Sequence, residues 1–382
     1  MEEIYMDYNS TAPIRAEVCD VVEKTIRDCH ANPSSLHLPG RRAKAVLDDA
    51  REKVAEALGA RSSEIIFVSG GSESNNAAIK GIAWGRRGGH IITSAIEHPA
   101  VLETCRFLES RGFSVTYVGV GSSGRVDPEA VAEAVRDDTC LITIMWANNE
   151  TGVIQPVDEI ARIASEHGIV IHTDAVQAFG KVPVDVSGIP VGLLSISGHK
   201  VYAPKGVGVL YVRRGIVCEA LVHGGGQERG MRSGTENLPG IAGMGEAASL
   251  AVREIKKEAP RLAKLRKKLE TGILKKISGS RINGDHPERL PNTTNAAFPG
   301  AEGEAVLISL DELGIAASSA SACAANHADA SHVLLAMGLS REDAEASMRF
   351  SLGKFSESRH IEKLLDLLPG IVERLRSLTQ GG

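Results

Sequence analysis

The chain has 382 residues, of which 43% are apolar and 24% charged, and a formal net charge of −5. That length exceeds one small core and predicts two or three domains, while the mild acidity argues against a nucleic-acid partner. No apolar run approaches membrane-spanning length.

In chain order, the acidic Met1-Glu2-Glu3-Ile4 start lacks an apolar signal segment. Arg41 to Gly59 spaces Ala43, Val46, Ala50, Val54, Ala57 and Leu58 three or four apart, which predicts an amphipathic helix stopped by Gly59. Ile65-Ile66-Phe67-Val68 reads as a short strand, followed by Ser69-Gly70-Gly71-Ser72 and a helix from Glu73. Strands are predicted at His90–Thr93, Ser114–Val118 and Cys140–Trp146, with helices at Ala100–Arg111 and Pro128–Arg136 between them. Asp127-Pro128 is a helix start, with the cap at Asp127 and proline at the first helical position. A helix over Val157–His167 leads into a strand at Ile169–Thr173. This alternation predicts an α/β fold with a mostly parallel central sheet and helices on both faces.

From about Ile241 the pattern changes. A long polar helix is predicted to run to Ile277, bent or broken at Pro260. Its run of Lys264, Arg266, Lys267, Lys268, Lys275 and Lys276 is interleaved with leucines and reads as a solvated face. Short strands (Thr293–Phe298, Ile315–Ser318, Met348–Leu352) and helices follow, giving a smaller α+β unit. The predicted division is a large domain at 13–255 and a small one made of 1–12 and 256–382.

Ligands of such sheets bind at the carboxyl ends of the strands. Ser69–Ser72, Asn148-Asn149-Glu150, Asp174 and His199-Lys200 all follow apolar runs, so they converge on one sheet edge. An amine at one strand end and an acid at the next suit a pyridoxal phosphate site. The amine would bind the aldehyde and the carboxylate would keep the pyridine nitrogen protonated. The glycine loop would offer backbone N–H groups to the phosphate. Singly these signals are weak: Asp174 alone reads as a turn residue, His98 as a loop histidine before Pro99, and Lys200 as a surface lysine. Their joint spacing carries the inference.

Six cysteines without a Cys-x-x-Cys pair argue against a disulfide framework or a ribbon-type zinc site and fit a reducing, cytoplasmic setting. Cys19, Cys105 and Cys140 fall in periodic segments and read as small buried hydrophobes, while Cys29 and Cys218 stay undecided. Cys323 lies in Ser318-Ser-Ala-Ser-Ala-Cys-Ala-Ala-Asn-His327, a small, polar, aperiodic stretch that suits a loop thiol. Cys323 and His327 are four apart with His332 nearby, but no further ligand pair supports a closed zinc site.

Taken together, several motifs resemble the cysteine desulfurase family of fold-type I pyridoxal phosphate enzymes, in the class V aminotransferase group. They are Ser69-Gly-Gly-Ser-Glu-Ser-Asn-Asn76, Glu97-His98, Asn148-Asn-Glu-Thr-Gly152, Asp174-Ala-Val-Gln177, Ser197-Gly-His-Lys200, Tyr202-Ala-Pro-Lys-Gly-Val-Gly208, His223-Gly-Gly-Gly-Gln-Glu-Arg229, Arg232-Ser-Gly-Thr-Glu236, Ser321-Ala-Cys323 and Arg349-Phe-Ser-Leu-Gly353. The likeness runs from Asp7-Tyr8 to about Leu378. It implies Lys200 as the Schiff-base lysine and Asp174 as the pyridinium partner. Gln177 and Asn149 would contact the ring hydroxyl, His98 would stack on the ring, and Gly71, Ser72, Ser197 and His199 would bind the phosphate. Thr235 would reach the phosphate of a neighbouring subunit, which implies a homodimer. Arg349, with Asn149, would bind the substrate carboxylate. Cys323 would accept the sulfur, and a shared iron–sulfur ligand role there stays open. The implied catalytic residues are therefore Cys323, Lys200 and His98, and the implied reaction is removal of sulfur from L-cysteine.

The implied partner is a sulfur-acceptor protein such as an iron–sulfur scaffold. Two departures stand out: the sequence stops soon after Gln380, where many members continue with a scaffold-docking tail, and Ala330 stands where the family often has proline. An aminotransferase or selenocysteine lyase of the same fold, and a non-catalytic sulfur carrier, are the alternatives.

Overall fold

The computed structural model describes residues 3–86, 88–319 and 330–380. Its central sheet has seven strands, in the order Ile65–Val68, Gly208–Val212, Leu193–Ser197, Val170–Asp174, Thr139–Thr143, Gly89–Ser94 and Phe113–Val118. Gly208–Val212 runs antiparallel to both neighbours, and the other pairings are parallel. The near-continuous apolar strands follow from this: Ile65–Val68 and Leu193–Ser197 are buried at every position because helices cover both faces. Leu38–Leu58, Val157–Glu166 and the first half of Leu238–Lys276 close one face, while Gly71–Ala83 and Pro99–Glu109 close the other.

A separate apolar cluster gathers Ile4 and Met6 with Leu262–Ile277, Ala296, Phe298, Met348, Phe350 and the inner side of the last helix. Its sheet is antiparallel, ordered Ser318–Ser319, Ser347–Ser351, Thr293–Ala297, Arg281–Asn283. Ile4–Tyr5 and Ile315–Ala316 form a short parallel pair beside it.

Several predicted boundaries hold. The helix ending at Leu58 stops at Gly59, whose left-handed φ of 64° only glycine adopts cheaply. Asp127 caps Glu129 N, with Pro128 at the first helical position. The predicted break at Pro260 does not occur, because Leu238–Lys276 is one helix of 39 residues. Pro260 falls in the solvent-facing stretch between the two apolar clusters. There the missing N–H costs one hydrogen bond while both flanks stay packed. The strand predicted over Cys140–Trp146 ends at Thr143, and the segment Ile315–Ser318 splits into two short strands. Cys19 is exposed rather than buried, while Cys105, Cys140 and Cys218 are buried. No described helix is long and apolar enough to cross a membrane.

Candidate active site

A cavity of about 200 Å³ opens at the carboxyl edge of the large sheet, and Gly71, Ser72, His98, Asn149, Asp174, Gln177, Ser197, His199 and Lys200 all line it. The strands explain the convergence. Asp174 ends Val170–Asp174, and Ser197 ends its parallel neighbour Leu193–Ser197 one strand away. A single helical turn, Gly198–Lys200, then brings Lys200 back over that edge. Tyr202 follows with φ 67°, a conformation costly for a tyrosine; its buried hydroxyl accepts Lys354 N at 2.8 Å and pins the turn.

At one end of the cavity the helix Gly71–Ala83 begins without a side-chain cap, so its first N–H groups face the opening. A Cβ on Gly71 would stand 3.0 Å from Val176 Cγ2 and 3.4 Å from Ser197 Cβ. A Cβ on Gly208 would meet the Gly70 backbone at 2.7 Å. This glycine pairing brings strand, loop and helix end close enough to cradle a phosphate.

At the other end, Asn75 Nδ2 donates to Asp174 Oδ2 at 2.6 Å and Val176 N donates to Oδ1 at 2.9 Å. Asp174 is 6% exposed and lines the cavity, so a protonated ring nitrogen there would complete its bonding. These are the donors and acceptors that pyridoxal phosphate needs, and the residues fit it. His98 caps Pro99–Glu109 by accepting Ala100 N at 3.1 Å, and burial lowers its pKa against the pull of Asp174. The imidazole is thereby kept neutral and free to stack. Burial, reinforced by the Lys200 cation, brings His199 down to about 4.

Lys200 Nζ donates to the carbonyls of Asn9 (2.6 Å) and Ser10. Arg349, 2% exposed, sits behind Asn149: its guanidinium donates to Asn149 O at 3.3 Å and pairs with Asp7 Oδ1 at 2.8 Å. Arg349 does not itself line the cavity; Lys200 is the cation that does, opposite the Asp174 carboxylate. Thr235 is exposed and does not line the cavity.

Cys323 and His327 lie outside the described residues. The chain on either side of them adjoins the site. Ser318 pairs in register with Arg349, Ser331 Oγ donates to the buried Glu150 Oε2, and His332 shares a hydrogen bond of 2.9 Å with Glu97 O.

Four residues near the site have no role assigned from the sequence, although Asn75 and Glu97 stand within its motifs. Asn75 stands four beyond Gly71 on the same helix, and that spacing was a usable signal. Asn9 had none: its carbonyl accepts Lys200 and Gln177, and its side chain reaches Asn149 O, Thr293 and Asn292. Lys181 donates to Gln177 Oε1 at 2.6 Å, four residues on.

Glu97, fully buried beside His98, receives Ser94 Oγ (2.6 Å) and Met145 N (2.9 Å) on Oε1, and its Oε2 has no partner among the described residues. Burial pushes its pKa up to about 8, with the Asp174 charge adding to that and the two hydrogen bonds opposing it. Folded Glu97 thus keeps its proton where the unfolded chain has lost it. Its contribution to stability is complete below the ordinary carboxylate range and is lost as pH rises toward 8. Relative to Glu97→Gln, the wild type should therefore lose about 1.4 kcal/mol per pH unit between roughly pH 5 and pH 8. Urea unfolding of both proteins across that range measures it, and parallel stability profiles would refute a protonated Glu97.

The Aminotransferase class-V family pattern matches residues 4–364. The cysteine desulfurase IscS of Dictyoglomus turgidum is 48% identical over 379 residues, covering 99% of this chain and 96% of its own. Among solved structures, a NifS-like protein superposes with a TM-score of 0.92 at 39% identity, covering 98% of this chain and 100% of its own. SspA in complex with cysteine gives 0.82 at 41% identity, covering 91% and 98%.

Proposed function

Because the chain belongs to the class-V aminotransferases, and within them to the cysteine desulfurases, we propose that it takes the sulfur from L-cysteine, releases L-alanine and carries the sulfur as a persulfide on Cys323. The observation that carries this reading is the placement of the chain on both sides of Cys323. Ser318 lies against Arg349 and Ser331 against Glu150; Arg349 donates to Asn149 O and Glu150 follows Asn149, which lines the Lys200–Asp174 cavity.

Pyridoxal phosphate, when bound, supplies an electron sink for the bond to the substrate α-carbon. Gly71, Ser72, Ser197 and His199 would hold its phosphate, Asp174 its ring nitrogen, Gln177 and Asn149 its ring oxygen, and His98 its ring face. Lys200 would hold its aldehyde. The Lys200 amine, when free, would take the substrate α-proton and return a proton. Arg349 binds the substrate carboxylate and so fixes which α-bond faces Lys200. The Cys323 thiolate attacks the substrate sulfur: an S–S bond forms, the C–S bond breaks, and its electron pair stays on the carbon fragment. That fragment gains a proton and leaves as alanine, so no external oxidant is required.

The chain acts as a homodimer in this reading, with Thr235 serving the partner's phosphate site. The large domain spans 13–255, and 1–12 with 256–382 form the small one. The protein works in the cytoplasm and passes its sulfur to an acceptor protein such as an iron–sulfur scaffold or the enzyme of another thiolation pathway.

Incubation with L-cysteine and a thiol reductant should yield alanine and sulfide in equal amounts. Peptide mapping without reductant should find the added sulfur on Cys323. A keto acid in place of alanine would overturn the reading in favour of an aminotransferase.

A further inference from the structure

Lys181 has an odd placement for a lysine. As a residue it is half-buried, and a lysine in that position ordinarily extends its amine toward water. Instead it donates to Gln177 Oε1 at 2.6 Å, which is its hydrogen-bond partner among the described residues. It does so at a cost, since burial holds its pKa well below the ordinary lysine value and the Lys200 and Arg349 cations add to the shift. Nearby carboxylates are engaged elsewhere: Asp7 with Arg349, and Glu254 with Arg15 and Lys354.

Gln177 explains what is gained. Its Nε2 donates to Asn9 O at 2.9 Å, and an amide nitrogen carries a second hydrogen for the cavity. Asn9 O accepts Nε2 at one end of the amide, and Lys181 serves Oε1 at the other, so the two fix its orientation together. An amide with an unserved oxygen could rotate and turn an acceptor toward the ring oxygen of the cofactor. Lys181, donating to Oε1, favours the orientation that turns Nε2 toward the cavity and polarises the amide so that its N–H groups donate more strongly. We infer that Lys181 is a positioning residue: through Gln177 it holds an N–H donor on the cofactor's ring oxygen. This rests on the cofactor reading above.

A donor on that oxygen favours its anionic form and eases loss of the proton shared with the Lys200 nitrogen. Removing the donor should therefore raise the pH at which the visible band of the resting holoenzyme changes. Around the Lys200 amine the charged or titrating groups are Asp174, His98 and His199 in the cavity, Arg349 and Lys181 beside it, and the Glu254–Lys354 pair beyond. All but Lys181 are unchanged in the comparison.

The test is a spectroscopic pH titration of four holoenzymes: wild type, Lys181→Met, Gln177→Leu and the double variant. The midpoint should rise by about one unit in Lys181→Met. It should rise at least as much in Gln177→Leu, and the double variant should match Gln177→Leu. Should Lys181→Met not fold, Lys181→Gln, which keeps a weaker donor, should move the midpoint in the same direction by less. An unshifted midpoint, or equal shifts from Lys181→Met with and without Gln177, would overturn the inference. A wild type that takes up no cofactor and shows no visible band would instead defeat the reading beneath it.

Discussion

A Cys323→Ser protein should bind pyridoxal phosphate with an unchanged visible band and yet release neither alanine nor sulfide, with turnover down on the order of a thousandfold or more. The substitution changes one atom, so folding and cofactor capture are left alone. What is lost is the thiolate, and a serine hydroxyl does not ionise near neutral pH. The described cysteines offer no replacement, since none lines the cavity. Burial pushes the thiols of Cys105 and Cys218 up to about 12, far from the reactive form. Alanine measured by amino-acid analysis and sulfide measured colorimetrically decide the matter, and sulfide released at the wild-type rate would sink the assignment of Cys323.

Lys200→Ala should be worse still, with turnover falling by roughly ten-thousandfold because the proton acceptor and the covalent anchor are one group. Borohydride reduction followed by peptide mapping should fix the cofactor on Lys200 in the wild type and nowhere in the variant. The variant should stay folded: the lost side chain serves the Asn9 and Ser10 carbonyls, each bond worth about 1 kcal/mol, and Asn9 O keeps Gln177. Turnover retained above about a hundredth of wild type would mean that another amine moves the proton.

The two variants test residues of unequal legibility. Lys200 and Asp174 could be read because Asp174 ends an apolar strand and Lys200 follows the end of the next, and parallel neighbours put those carboxyl ends on one edge. Gly71 and Ser72 could be read for the same reason, as a loop between strand and helix. Arg349 was carried by its resemblance alone, since its strand looks like any short buried strand. Asn9 and Lys181 were invisible: one sits in an irregular turn near the start of the chain, and the other looks like a solvated lysine.

The sequence by itself determined the alternating layout, the helix caps at Asp127 and Gly59, and the sheet edge where the chemistry gathers. These depend on periodicity and turn chemistry within a few residues. The tertiary structure alone decided that Pro260 leaves its helix whole, that Cys19 faces solvent, that Glu97 is buried with an oxygen unserved among the described residues, and that Asn9 joins Lys200 to Gln177. Each of those rests on which distant surface covers the residue. Burial sets whether a missing N–H, a thiol or a carboxyl finds water or protein, and local sequence spacing carries no information about that.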